Sequence, residues 1–427
     1  MFHSASLTPL DELMTRWPFS PSVAGVAVTC EGPMPAASRI AELVRERLGP
    51  FPRLGWVLTP PGGPRLARRH RWVPQPDFDV ADQIVFDSGA QSFQELALRL
   101  MTEPLSPDRP PWRLHVLPEP DGSGFTLLMR AHHSLLDGRS FTTLFRALLD
   151  DVPAPPTSHA TRTEQRPLQR IGSVTRALRT SFSPGTAVPM PNHGPSSPAY
   201  AWCAVPPQVF ERARAAVPGH VATATEVFVA AAAGTFRSHL GSWPPASGPE
   251  RSLFVAVPMD MRRADQGHRL GNAFGAARVP LPVATEDPVA RLAACRGLVR
   301  SGEHQAALRF GNSLLRALSL VGPRLVDAIL APQYDPAYSA GCCTSLPLTG
   351  EGLAFDRHPL RQLRGFPMVP PHGTATFFLL GCSEGYTLNV ATNSGSGDAR
   401  LLADSMLREL HQLAAHAQGV SRYAERC

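Results

Sequence analysis

Apolar residues recur along this chain with two different periods. Spacings of three and four, which put one face of a helix against a core, run through Ala37–Leu48, Ser92–Met101 and Ser140–Leu149. They return at Glu226–Leu240, Val289–Arg300 and Ala399–Leu413. Alternating or continuous aliphatic runs predict strands at Val23–Thr29, Phe125–His133, Ser252–Val257, Ala277–Leu281, Thr376–Leu380 and Tyr386–Ala391. Helices and strands intermingle in both halves, which predicts an α/β protein with mixed sheets rather than a bundle or a sandwich. Val152–Pro198, dense in Pro, Ser, Thr and Gly, reads as a connector, with RALRT at 176–180 as a short helix within it. The expected organisation is a first lobe over 1–150, a Pro/Ser-rich linker over 151–200 and a second lobe over 201–427.

Composition supports two lobes, since 427 residues at 43% hydrophobic exceed one ordinary core. The most apolar stretch, Leu314–Pro332, is interrupted by Arg316, Gly322, Pro323, Arg324 and Asp327, so a membrane span is not expected. Core packing is the simpler reading of that broken helix; contact with a membrane surface or the lining of an acyl tunnel are the alternatives. The N-terminal MFHSASLTPLDEL has no basic segment leading into an apolar block, so no secretory signal is expected. All 41 basic residues are Arg, and the formal net charge is +6. Codon bias in a GC-rich genome is the simple source. The absence of lysine removes Schiff-base chemistry, a lysine general base and a P-loop lysine. The arginines are scattered without aromatic interleaving, which argues against a nucleic-acid partner. Seven cysteines form neither a CxxC pair nor a metal-ligand spacing, so buried reduced thiols in a cytoplasmic protein, and no metal, are expected.

The chemistry concentrates in GFTLLMRAHHSLLDGRSFTTLFRALLDD. As a strand, Phe125, Leu127, Met129, Ala131 and His133 share one face, so His133 ends an apolar row. Asp137 stands where a helix N-cap belongs, ahead of Phe141, Leu144, Phe145, Leu148 and Leu149 at helical spacing. An imidazole with an ordinary pKa of ~6.5, at the mouth of an apolar channel, suits a general base. The bland alternative is a core histidine bonded to backbone beside a capping aspartate.

His132-His133-Ser134-Leu135-Leu136-Asp137-Gly138 resembles the HHxxxDG signature of the chloramphenicol acetyltransferase/condensation-domain superfamily. Its neighbours resemble the wax ester synthase/diacylglycerol acyltransferase-like branch. PLSPDRPPW, ending at Trp112, is similar to that branch's PLDxxRPLW. PDFDV at Pro76–Val80, LTPLDEL at Leu7–Leu13 and Glu31-Gly32-Pro33 are similar to its other N-terminal segments. Val257–Arg262 and Gly271-Asn272-Ala273-Phe274-Gly275 resemble its VPVSLR and GNxFG. The resemblance implies two chloramphenicol-acetyltransferase-like lobes, each a mixed sheet flanked by helices, with an active-site channel between them. It implies an acyltransferase in which His133 deprotonates an acceptor hydroxyl or amine as it attacks an acyl thioester, on coenzyme A or an acyl carrier protein, with no bound cofactor. His132 would be structural, Asp137 would pair with Arg53 or Arg262, and Gly138 would leave space for a pantetheine arm. Trp112 and Asn272 would lie on the substrate and donor side.

Two segments depart from the branch. Ala224-Thr225-Glu226-Val227 stands in place of its Asn-Asp helix start, where Thr223 and Glu226 have capping-box spacing. Cys343–Leu348 stands in place of NVPGP, leaving Thr344 or Ser345 as hydroxyl donors to an oxyanion. These changes favour a specialised natural-product or lipid acyltransferase over bulk neutral-lipid synthesis. They also motivate a second reading, a non-catalytic acyl- or carrier-binding protein. Gly381-Cys382-Ser383-Glu384-Gly385 fits GxSxG, which opens a third, a serine hydrolase using Ser383. That motif needs a helix after it, and Tyr386–Ala391 alternates like a strand, so a hairpin turn is expected instead. Gly395-Ser396-Gly397 reads as a turn before Asp398 caps the last helix.

Overall fold

The computed structural model describes residues 5–62, 69–88, 92–150, 180, 183–188, 198–240, 252–299, 301–348, 350, 352–394 and 398–424. The first half runs β1 (Ala5–Ser6), α1 (Pro9–Thr15), β2 (Val23–Glu31), α2 (Ala37–Leu48), β3 (Trp56–Gly62), β4 (Arg69–Pro74), β5 (Ile84–Phe86), α3 (Phe93–Thr102), β6 (Trp112–Pro118), β7 (Gly124–His132) and α4 (Gly138–Leu148). The second runs β8 (Pro198–Val205), α5 (Pro207–Arg214), α6 (Ala224–Leu240), β9 (Phe254–Asp260), β10 (Phe274–Pro280), α7 (Pro288–Leu298), α8 (Ser301–Val321) and α9 (Pro323–Leu330). It closes with β11 (Gly341–Pro347), β12 (Ala354–Phe355), β13 (His358–Phe366), β14 (Ala375–Cys382), β15 (Gly385–Asn393) and α10 (Asp398–Ala424).

Two six-stranded mixed sheets carry the molecule, in the orders β12-β13-β2-β7-β6-β5 and β10-β9-β11-β14-β15-β8. In the first, β7 lies antiparallel between β2 and β6, and a core packs on each of its faces, so its side chains are buried on both. Phe125, Leu127, Met129 and Ala131 join one core with α2 and α4, while Leu128 joins another with α3. That is the alternation the sequence predicts. In the second sheet, β11 lies parallel to both β9 and β14. Within α6 the continuous apolar run Val227–Ala233 is fully buried, as expected of a helical segment enclosed on every side.

Each helix and strand predicted outside the linker forms, with ends displaced by at most three residues except in α10, which continues to Ala424. The division of the chain is less simple than its linker suggests. β12 and β13, from the second half, complete the first sheet, and β13 pairs with β2 from Leu360 to Phe366. Leu346, Leu353, Phe355, Leu360 and Leu363 accordingly pack into the first core. A lobe boundary at residue 200 therefore describes chain order rather than sheet membership. Most of the predicted linker, including residues 176–179, and the Gly395–Gly397 turn lie outside the described residues. The broken apolar helix is also only partly core: α8 and α9 are separated at Gly322, and Phe310, Leu314, Leu320 and Val321 remain exposed. No helix among the described residues is long and apolar enough to cross a membrane.

Candidate active site

Strand β7 ends at His132, and the turn from His133 to Leu136 carries the chain into α4. Asp137 caps that helix by accepting from the Ser140 N–H at 2.9 Å and the Ser140 hydroxyl at 2.8 Å. Its carboxylate does more than cap. Arg262 donates to both oxygens at 2.9 Å, and the Ala273 N–H donates to Oδ2 at 3.0 Å. Both partners of this ion pair are nearly enclosed, at 3% and 4% side-chain exposure, so losing either would strand a charge. Arg262 is thus the partner of Asp137. Arg53, the other candidate, does not bond the carboxylate; it donates to the carbonyls of Leu135 at 2.9 Å and Ser134 at 3.3 Å, holding the turn from outside. Its guanidinium lies 5.4 and 5.5 Å from the rings of Trp56 and Trp72.

Arg262 and Ala273 belong to the segment joining β9 to β10, so the second half of the chain folds over the turn. Gly271 makes that approach feasible. Its φ of +113° is closed to most side chains, and a Cβ would sit 2.8 Å from the Arg53 guanidinium carbon. The Gly271 N–H donates to the Ser140 hydroxyl at 3.0 Å. Next in line, the Asn272 amide donates to the His133 carbonyl at 2.5 Å and to the Asp11 carboxylate at 2.7 Å. Asp11 belongs to the LTPLDEL segment. Its capping-box exchange with Thr8 gives it a sufficient local reason to exist, which hides its second contact.

The two histidines differ. Nδ1 of His132 accepts from the Ser134 N–H at 3.2 Å and lies 2.7 Å from the Ser134 hydroxyl. Burial, with the neighbouring His133 and His70, pushes its pKa down to about 4, which keeps the ring neutral. His133 retains partial exposure. Burial lowers its pKa too, opposed by Asp137, by its own carbonyl, by Asn272 and by Asp11. Its Nδ1 and the Asn272 Oδ1 are both buried without a geometrically complete bond, and each belongs to the residue the other already touches. A proton on Nδ1 would leave Nε2 as the acceptor of this ring. Phe274 stacks edge-on to it, with centroids 5.6 Å apart.

The remaining candidates are spread over neighbouring elements. Trp112 is fully enclosed in β6 and donates its indole N–H to the Leu54 carbonyl at 2.7 Å, a core position with no face open to a substrate. A Cβ on Gly138 would meet only the Leu346 side chain, at 3.6 and 3.8 Å, so the protein itself has room for one. Leu346 and Thr344 project from the same face of β11; Ser345 projects from the other and lies 3.4 Å from the Thr225 hydroxyl. The two segments that depart from the expected pattern therefore touch each other. Thr223 and Glu226 exchange the bonds of a capping box, at 3.2 and 2.7 Å. Gly381–Gly385 is the turn of the β14–β15 hairpin, with Ser383 exposed at its tip, which removes the nucleophile elbow.

Comparison with known proteins agrees with this architecture. The catalytic domain of the wax ester synthase/diacylglycerol acyltransferase family matches residues 18–262, and the family's C-terminal domain matches residues 270–414. A protein of Mycobacterium tuberculosis named as a diacylglycerol O-acyltransferase is 24% identical over 342 residues, covering 72% of this chain and 75% of its own. The wax ester synthase/diacylglycerol acyltransferase of Marinobacter aquaeolei superposes over 97% of this chain and all of its own, with a TM-score of 0.63 at 17% identity. The first condensation domain of the CDA synthetase covers 97% of this chain and 96% of its own, with a TM-score of 0.67, also at 17% identity. The chain is an acyltransferase and belongs to the wax ester synthase/diacylglycerol acyltransferase family.

Proposed function

We propose that the protein moves an acyl group from a thioester donor, coenzyme A or an acyl carrier protein, to a hydroxyl or amine acceptor within a ternary complex. His133 is the general base. Its Nε2 takes the acceptor proton as the acceptor oxygen or nitrogen attacks the thioester carbonyl. The new C–O or C–N bond forms, the C–S bond breaks, and the proton passes to the departing sulfur. Base catalysis of this kind contributes roughly 10²–10⁴ in rate. Thr344 or Ser345 offers a hydroxyl to the developing oxyanion, and Gly138 leaves the donor arm its space. The observation that carries this reading is the tethering of the His133 turn on three sides, by Asp137–Arg262, by Arg53 and by Asn272.

The altered Ala224–Val227 and Cys343–Leu348 segments favour a specialised acceptor, a natural product or particular lipid, over bulk wax or triacylglycerol. We assign the reaction to the cytoplasm, where acyl thioesters are made and where Cys30, Cys203, Cys295, Cys342, Cys343 and Cys382, all free, stay reduced. The test offers purified protein acyl-coenzyme A and acyl-carrier donors against alcohol, diacylglycerol and amine acceptors, and follows thiol release and product mass. Ester or amide formation is expected. Carrier binding with no product in any pairing would leave the binding-protein reading instead.

A further inference from the structure

Arg139, the second residue of α4, directly follows the turn that carries the two histidines. Its main chain is pinned. The carbonyl accepts from the Thr142 hydroxyl at 2.8 Å and from the Thr143 hydroxyl at 3.1 Å. Its side chain is the reverse. It is the one half-buried arginine among the described residues whose guanidinium has neither a hydrogen bond nor an ion pair. Nε is enclosed by protein without an acceptor, whereas the two terminal nitrogens are not enclosed. Leaving a buried N–H unmet is unfavourable, so the stability of the fold does not explain why this stem is held where it is.

The surroundings supply no acid to it. Residues 138–149 contain none, and both oxygens of the preceding Asp137 are taken by Arg262. Space lies beside it, since a Cβ on Gly138 would meet only Leu346, at 3.6 and 3.8 Å. Side chains of an α-helix lean toward its N-terminus, so the Arg139 fork leans over the first turn of α4 and the open side of Gly138. A fixed stem with an open planar fork and no carboxylate of its own suits an anion that presents paired oxygens. Among the substrates of acyl transfer from a thioester, the donor carries such a group, a phosphate at the head of its pantetheine arm. We propose that Arg139 binds that phosphate, which coenzyme A and a holo acyl carrier protein share. The inference rests on the thioester donor proposed above. Gly138 and Arg139 then serve one arm, the first by leaving it space and the second by holding its charge.

Isothermal titration calorimetry of the full chain compares wild type with Arg139→Gln, using coenzyme A, a holo acyl carrier protein and pantetheine as probes. The replaced side chain bonds to no other residue, so the variant should fold and keep its Tm within a few degrees. Wild type is expected to bind coenzyme A or the holo carrier, and whichever it binds is the source of the phosphate. Arg139→Gln should raise that Kd about tenfold or more, because a charge-assisted bond is lost. Arg139→Lys should recover part of the loss. Pantetheine lacks the phosphate, so its Kd should be the same in all three proteins. In turnover, KM for the thioester should rise with little change in kcat.

Equal Kd values for the phosphorylated probe in wild type and Arg139→Gln overturn the proposal. A weakening that extends equally to pantetheine marks a packing role and overturns it as well. So does wild type that binds neither phosphorylated probe. An effect confined to KM for the acceptor assigns the arginine to an acceptor carboxylate and overturns it too. Arg139-dependent binding without product in any pairing keeps this inference and removes the catalytic one. Turnover in which Arg139 is dispensable does the reverse.

Discussion

The side-chain amide of Asn272 donates to the backbone carbonyl of His133 at 2.5 Å, joining residues 139 apart in sequence. The same amide reaches Asp11 at 2.7 Å, so three distant segments meet at the histidine. Replacing Asn272 removes both the tether and a contribution that holds the His133 pKa up against burial. Asn272→Ala should therefore fold, lose about 10-fold to 100-fold in kcat, and show an acid limb of kcat/KM displaced to lower pH. A variant with lowered Tm but an unshifted pH profile would make Asn272 a packing residue only.

The Asp137–Arg262 pair is buried, and breaking it leaves one charge unpaired. Asp137→Asn and Arg262→Met should each cost about 3–5 kcal/mol in urea unfolding. The double variant should cost clearly less than the two together, because the partners share one interaction. Additive losses would show that the two side chains act separately.

Two glycines at the site separate backbone need from ligand space. Gly271→Ala places a methyl against Arg53 in a left-handed conformation, so it should destabilise the fold and lower the yield of soluble protein. Gly138→Ala meets only ordinary contact with Leu346 and should leave Tm within a few degrees of wild type. If the donor arm passes Gly138, KM for the thioester should rise severalfold. An unchanged KM would route the arm elsewhere.

Burial depresses both histidines, and the consequence for stability has a definite sign. His132 titrates at about 4 in the folded protein and near ~6.5 when unfolded. Between those values the unfolded chain binds more protons, so this contribution is present above ~6.5 and is lost as pH falls toward 4. His133 acts in the same direction. The urea midpoint should fall across that window, and His132→Asn should flatten the dependence. A wild-type midpoint independent of pH there would contradict neutral burial of the pair.

Much of this was legible in the sequence because local pattern and final environment agree. The period-two row from Phe125 to Ala131 faces one core, and Asp137 caps α4 where spacing places it. The hairpin at Gly381–Gly385 follows from the strand that succeeds it. What escaped was long-range. β13 joins the first sheet through pairing with β2, which no local period encodes. Trp112 lies in a motif similar to the family's yet points into the core. Arg53, one of the two expected partners of Asp137, instead donates to the carbonyls of the turn. Asp11 was masked by a capping box that explains it locally. The half-exposed α8–α9 pair reads as core because its apolar content is high on both faces.

Single-turnover thiol release from an acyl thioester in the presence of acceptor, compared between wild type and His133→Ala at matched folding, tests the proposed base most directly. The account predicts an unchanged urea midpoint at neutral pH within experimental scatter and a rate lower by about 10²-fold or more. Release by His133→Ala at the wild-type rate, with the same ester or amide formed, would contradict it.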